Sequence, residues 1–137
     1  MSDVLRILIV DDHPDTADAI GMLLGALGHE THGARTGREG LAAFDDFRPE
    51  LVILDIGLPD LSGYELASEI RARPLGREAH LVAATGWGAP EDRGRALAAG
   101  FDEHFLKPLD LTKLRAMIAS LSEHATTRGR GDASRRA

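Results

Sequence analysis

The sequence contains no cysteine, which excludes disulfides and thiolate zinc sites. It has no apolar run near the roughly 20 residues that a membrane-spanning helix needs. From Met1-Ser2-Asp3 it runs straight into Val4-Leu5-Arg6-Ile7, without the charged segment, apolar stretch and small-residue cleavage site of an export signal. A cytoplasmic setting away from membranes is the expectation. Aromatic residues are scarce, at 4%. The six histidines are scattered and none stands at metal-ligand spacing from another, so no zinc site is expected. Basic residues are the minority, 16 against 22 acidic, for a net charge of −6. Four of them, Arg128, Arg130, Arg135 and Arg136, lie in the last thirteen residues, so residues 1–124 carry a formal −9. Nucleic-acid binders usually present a basic face, and none is expected here. Residues 125–137, rich in Arg, Gly, Ser and Thr, read as a basic, disordered tail beyond a domain of residues 1–124.

What is present is one ordinary domain: 137 residues, 43% hydrophobic. Short apolar runs alternate with helical patterns. Leu5 to Val10 is a first strand, and Pro14 opens a helix that Asp12 or His13 would cap. That helix places Ala17, Ile20, Leu23, Leu24 and Leu27 on one stripe and stops at Gly28. Glu30 to Ala34 is a second strand. Thr36 with Glu39 forms a capping box for a helix burying Leu41, Phe44 and Phe47. Leu51 to Leu54 is the clearest buried strand and ends at Asp55. Ile56 to Gly63 is a loop, followed by a helix through Tyr64, Ala67 and Ile70. Leu81 to Ala84 is a fourth strand, Glu91 to Ala99 a helix of small residues stopped by Gly100, and Asp102 to Leu106 a fifth strand. Asp110 caps a last helix with Leu111, Leu114, Ile118 and Leu121 inward. Five strands alternating with five helices predict an α/β fold, a doubly wound five-stranded parallel sheet covered on both faces.

In such a sheet, ligands bind outside the carboxyl ends of the strands. Asp11 and Asp12 follow the first strand, Asp55 the third, Thr85 the fourth and Lys107 the fifth. Three carboxylates at one edge repel unless something positive joins them. A hard divalent cation with oxygen ligands does so, and Mg²⁺ suits a few carboxylates, waters and a phosphate oxygen. A carboxylate can also be a nucleophile toward a phosphoryl group. The cation, an ammonium, a hydroxyl and loop N–H groups can neutralise the transferring oxygens.

Val10-Asp11-Asp12, Leu54-Asp55-Ile56-Gly57-Leu58-Pro59-Asp60-Leu61-Ser62-Gly63, Ala84-Thr85-Gly86 and Leu106-Lys107-Pro108 together resemble the receiver domains of bacterial two-component response regulators. The resemblance covers about residues 5–123. Its acidic, hydroxyl and lysine positions are separated by 43, 30 and 22 residues from Asp12 through Asp55 and Thr85 to Lys107. It implies a flavodoxin-like strand order, 2-1-3-4-5, and a signalling switch rather than an enzyme. It implies Asp55 as phosphoacceptor, supplied by a histidine kinase or a histidine phosphotransfer protein. It implies Mg²⁺ on Asp12, Asp55 and the Gly57 carbonyl, with Asp11 acting through water. Lys107 would pair with a phosphoryl oxygen, Thr85 would swing toward it, and the Lys107-Pro108 bond would be cis. An unknown downstream protein would read the face of helix four, strand five and helix five, from a monomer or weak dimer.

Three departures stand out. His104 occupies the position where such domains usually have Tyr or Phe as a second switch residue. Gly57 offers no side chain to steer a hydrolytic water, and Trp87 would shield the site instead. No output domain follows, so the chain is similar both to single-domain, chemotaxis-regulator-like receivers and to receivers cut from hybrid kinases. Alternatives to a signalling switch are a phosphate sink without output, a hydrolase of the same topology, and a docking module independent of phosphorylation. The hydrolase reading lacks a second acid two residues after Asp55.

Overall fold

The computed structural model describes residues 4–85, 90–106 and 109–121. Trp87, the Lys107-Pro108 bond and the tail of residues 125–137 lie outside the described residues. The chain runs β1 (Arg6–Val10), α1 (Pro14–Ala26), β2 (Glu30–Ala34), α2 (Gly37–Phe47), β3 (Leu51–Asp55), α3 (Gly63–Arg71), β4 (His80–Thr85), α4 (Pro90–Ala99) and β5 (Glu103–Leu106). A last helix, α5, covers residues 111–121. All strand pairs are parallel, and the sheet order is β2-β1-β3-β4-β5. This is the doubly wound, flavodoxin-like arrangement that the resemblance implies.

The strands are apolar throughout because both faces are covered. Alternate residues feed two separate cores, as the period of two requires. Leu8, Val10, Val52, Leu54, Leu81 and Ala83 pack with Phe44, Leu66 and Ile70 on the α2–α3 side. Ile7, Ile9, Leu51, Ile53, Val82 and Ala84 pack with Ile20, Leu24, Leu114 and Ile118 on the α1–α5 side. Each fully buried Leu or Ile contributes roughly 1.5–3 kcal/mol.

Helix ends follow local chemistry. Pro14 opens α1 at its first position. Thr36 accepts from the Glu39 amide at 3.1 Å, the cap half of the expected capping box, while its hydroxyl donates to Glu39 Oε2 at 3.2 Å. Ser62 caps α3 through the Glu65 amide, and Asp110 Oδ1 accepts from Thr112 and Lys113 at the start of α5. Gly28 and Gly100 end their helices at φ +96° and +108°, a region costly for other residues.

Some details differ from expectation. β5 begins at Glu103, not Asp102, because the Asp102 carboxylate accepts from the Leu81 amide and from Arg71. On α5, Leu111 is 48% exposed and Met117 takes a core position. On α1 only Ile20 and Leu24 are buried, and Leu27, beside the helix end, is exposed.

Arg71 ties the far end of the sheet. Its guanidinium donates to the carbonyls of Gly100, Gly76 and Ala79 and to Asp102 Oδ2, at 2.6–2.9 Å. One fork thus joins the α3 end, the α3–β4 connection and the α4–β5 turn. Arg71→Lys keeps the charge but loses the fork. Urea unfolding is expected to show a loss of about 2–4 kcal/mol for Arg71→Ala, with less than half recovered by Lys.

His29 makes stability fall in mild acid. Its Nδ1 accepts from the Leu5 amide at 3.1 Å, which only an unprotonated nitrogen can do. Burial lowers the His29 pKa from its ordinary 6.5, with the nearby Glu50 carboxylate opposing. The unfolded chain therefore binds the proton more readily. The contribution is present above the unfolded value and is lost as pH falls through the lowered folded value. Unfolding midpoints at about pH 5 and about pH 7.5 should lie closer together for His29→Gln than for the wild type.

Candidate functional site

β1 and β3 are neighbours in register, with Val10 opposite Leu54, so Asp11 and Asp55 leave the sheet side by side. Asp11 is anchored by its amide on Ala34 O, at 3.0 Å. β4 lies next, with Asp55 opposite Ala84, and Thr85 ends that strand. Thr85 is paired with Leu106, the last described residue of that strand. The only polar residues buried among those described are Asp11, Asp55 and Thr85, at 4%, 6% and 3% exposure. Buried carboxylates are costly unless neutralised, so their concentration at one edge marks this as the site.

Carboxylate oxygens of Asp11, Asp12 and Asp55, with a ring nitrogen of His13, lie within 4.8 Å of one another. Asp55 Oδ1 accepts from the Gly57 amide at 3.0 Å, which orders the first turn of the β3–α3 loop. Asp12 Oδ1 is buried without a hydrogen-bond partner; His13 Nδ1 stands 3.1 Å away as an ion-pair contact only. A buried carboxylate oxygen without a donor, beside two further carboxylates, fits a hard divalent cation.

The loop is fixed at both ends. Gly63 donates to Ile56 O at 2.8 Å. Asp60 Oδ1 accepts from Gly37 and Leu61 and its Oδ2 from Arg38, at 2.7–3.0 Å. These amides, that of Gly37 first, lower the pKa of Asp60, and two of them open α2, where a negative charge is favoured. Asp60 is therefore committed to α2.

Of the expected residues, Asp11, Asp12, Asp55 and Gly57 come together, and Thr85 ends the adjoining strand. Lys107 and Pro108 lie outside the described residues. His104 is half-buried on β5, opposite Ala83. The sequence reading missed His13. Offered with Asp12 as a cap of α1, it stands at the N-cap position but makes no side-chain cap bond, and its ring meets the carboxylates instead. Its position between two acids and Pro14 was the available signal.

A match to the response regulator receiver domain family spans residues 7–119. The chain is 33% identical to a 14.6 kDa protein of Leptolyngbya boryana over 83% of this chain and 87% of that one. It is 30% identical to the regulatory protein AtoC of Escherichia coli over 86% of this chain, but spans only 25% of AtoC. Among solved structures, a CheY-like receiver domain protein of Methanospirillum hungatei superposes with a TM-score of 0.83 at 30% identity, over 92% of this chain and 99% of that one. Chemotaxis regulator CheY4 of Vibrio cholerae shares the fold, with a TM-score of 0.80 at 24% identity over 85% and 97% of the two chains. With the acidic strand-end cluster in place, and a family match covering most of its length, the chain belongs to the response regulator receiver domains of two-component signalling.

Proposed function

We propose that this chain is a phosphorylation switch in which Asp55 accepts a phosphoryl group from a phosphohistidine on a histidine kinase or phosphotransfer protein. The observation that carries this is the joint placement of Asp11, Asp12 and Asp55 in one cluster, with Thr85 ending the next strand. An Asp55 carboxylate oxygen forms the new P–O bond as the P–N bond of the donor breaks, and the donor imidazole leaves. Mg²⁺ would be held by Asp12, Asp55 and the Gly57 carbonyl, with Asp11 supporting, and supplies positive charge to phosphoryl oxygens. The Gly57 amide holds Asp55 Oδ1 in place. Lys107, following Leu106, would neutralise a phosphoryl oxygen, and the Thr85 hydroxyl would donate to another.

The site favours an acceptor over a turnover enzyme. Gly57 provides no general acid, and Asp60, the next acid after Asp55, is turned to the α2 amides. The readout would pass from Thr85 to its neighbour Leu106 and to His104 on β5. Leu97, Leu106 and Leu111 are exposed at 67%, 46% and 48% on α4, β5 and α5, which supports a protein partner on this face. A cytoplasmic setting fits these partners. No described helix is long and apolar enough to cross a membrane.

Amide NMR with Mg²⁺ and acetyl phosphate tests the switch. Wild type is expected to shift at Asp55, Thr85 and along β5, and Thr85→Ala to shift at Asp55 but not along β5. Shifts along β5 that survive in Thr85→Ala would remove Thr85 from the relay.

A further inference from the structure

His13 ends the β1–α1 turn, and its ring takes no part in capping the helix that begins at Pro14. Nδ1 instead hydrogen-bonds Asp11 Oδ1 at 3.0 Å and stands 3.1 Å from Asp12 Oδ1 and 3.8 Å from Asp55 Oδ2. Donor atoms about 2.1 Å from a common octahedral centre are about 3.0 Å apart along an edge and about 4.2 Å apart across it. The separations of His13 Nδ1 from Asp12 Oδ1 and Asp55 Oδ2, the two carboxylates proposed above as direct ligands, fall within that range. The backbone holds the residue there, since the His13 amide also donates to Asp11 Oδ1, at 2.8 Å. The His13 side chain is 64% exposed beside carboxylates exposed at 5%, 34% and 8%.

We propose that the His13 imidazole is a nitrogen donor to the divalent-cation site and turns its preference from Mg²⁺ toward first-row transition cations. The inference rests on that site binding a cation, as proposed above. Oxygen donors alone suit Mg²⁺, whereas imidazole suits Ni²⁺, Zn²⁺ and their neighbours, whose affinities rise along the Irving–Williams order. Nδ1 would bind as the neutral imidazole with the ring proton on Nε2, the cation replacing the proton that Nδ1 shares with Asp11 Oδ1. His13 is then a specificity-determining residue for the cation.

Calorimetric titration of the untagged full chain with MgCl₂ and with NiCl₂ tests this. The five other histidines can bind Ni²⁺ weakly, so only binding lost in Asp55→Asn counts as the site. His13→Ala is expected to lower Ni²⁺ affinity at the site at least about tenfold and to change Mg²⁺ affinity less than about threefold. His13→Asn keeps a good N-cap residue and offers only oxygen, so it should behave as Ala does toward Ni²⁺; circular dichroism confirms that both variants fold. Equal changes for the two cations would make His13 a general screen of the carboxylates and overturn the proposal. So would no change for either. If the wild type binds Mg²⁺ in an Asp55-dependent way but the ratio is unmoved, only this inference fails. If it binds neither cation, the cation site fails with it.

Discussion

In EDTA, Asp55→Asn is expected to be more stable than the wild type by about 1–2 kcal/mol, and in Mg²⁺ the order is expected to reverse. Three carboxylates with oxygens within 4.8 Å repel one another. At an effective dielectric of about 20, two unit charges at about 4 Å interact by about 4 kcal/mol. Asn keeps the shape, and its Oδ1 can still accept from the Gly57 amide that Asp55 Oδ1 holds at 3.0 Å, so the change isolates charge. A cation bound only by the folded state adds about 2.7 kcal/mol at 100 times its Kd, and the variant forfeits most of it. Urea unfolding of both proteins, with EDTA and with Mg²⁺, checks the crossing. A wild type that is the more stable in EDTA would show that the carboxylates are not under repulsive strain.

Gly63→Ala is expected to cost about 2–4 kcal/mol and to weaken cation binding, although it adds a single methyl group. A Cβ at Gly63 would lie 2.7 Å from Ile56 Cα and 2.8 Å from Asp55 O. Both are backbone atoms beside the acceptor, so relief must come from moving α3 or the strand end that carries Asp55. Gly94 is the contrast. A Cβ there meets nothing within 4 Å, and Gly94→Ala in α4 is expected to raise stability by about 0.5–1 kcal/mol. Unfolding midpoints of the two variants, with Mg²⁺ titrations of each, compare the effects. Equal and small changes at both positions would contradict a tight seat for α3 on the β3 end.

The strand ends were legible because apolar runs covered on both faces stop abruptly where polar chemistry begins. Asp11, Asp55 and Thr85 could therefore be placed from Leu5–Val10, Leu51–Leu54 and Leu81–Ala84 alone. Capping was legible at Thr36 and Asp110, since both signals lie within three residues. Long-range polar contacts were not. Arg71 reaches Gly100, 29 residues away, and Asp60 reaches Gly37, 23 residues away; neither leaves a local pattern. His13 resembled a cap in sequence, and only the convergence of β1 and β3 shows that its ring faces three carboxylates. Leu111 and Leu27 were misjudged because helical periodicity gives a stripe but not where the core ends along it.

The most direct measurement is intact mass after incubation with acetyl phosphate, with and without Mg²⁺, on wild type and Asp55→Asn. One phosphoryl adduct on the wild type, absent without Mg²⁺ and absent in Asp55→Asn, is the expected result. An adduct of equal yield on Asp55→Asn, or one indifferent to Mg²⁺, would contradict Asp55 as the acceptor in a cation-dependent switch.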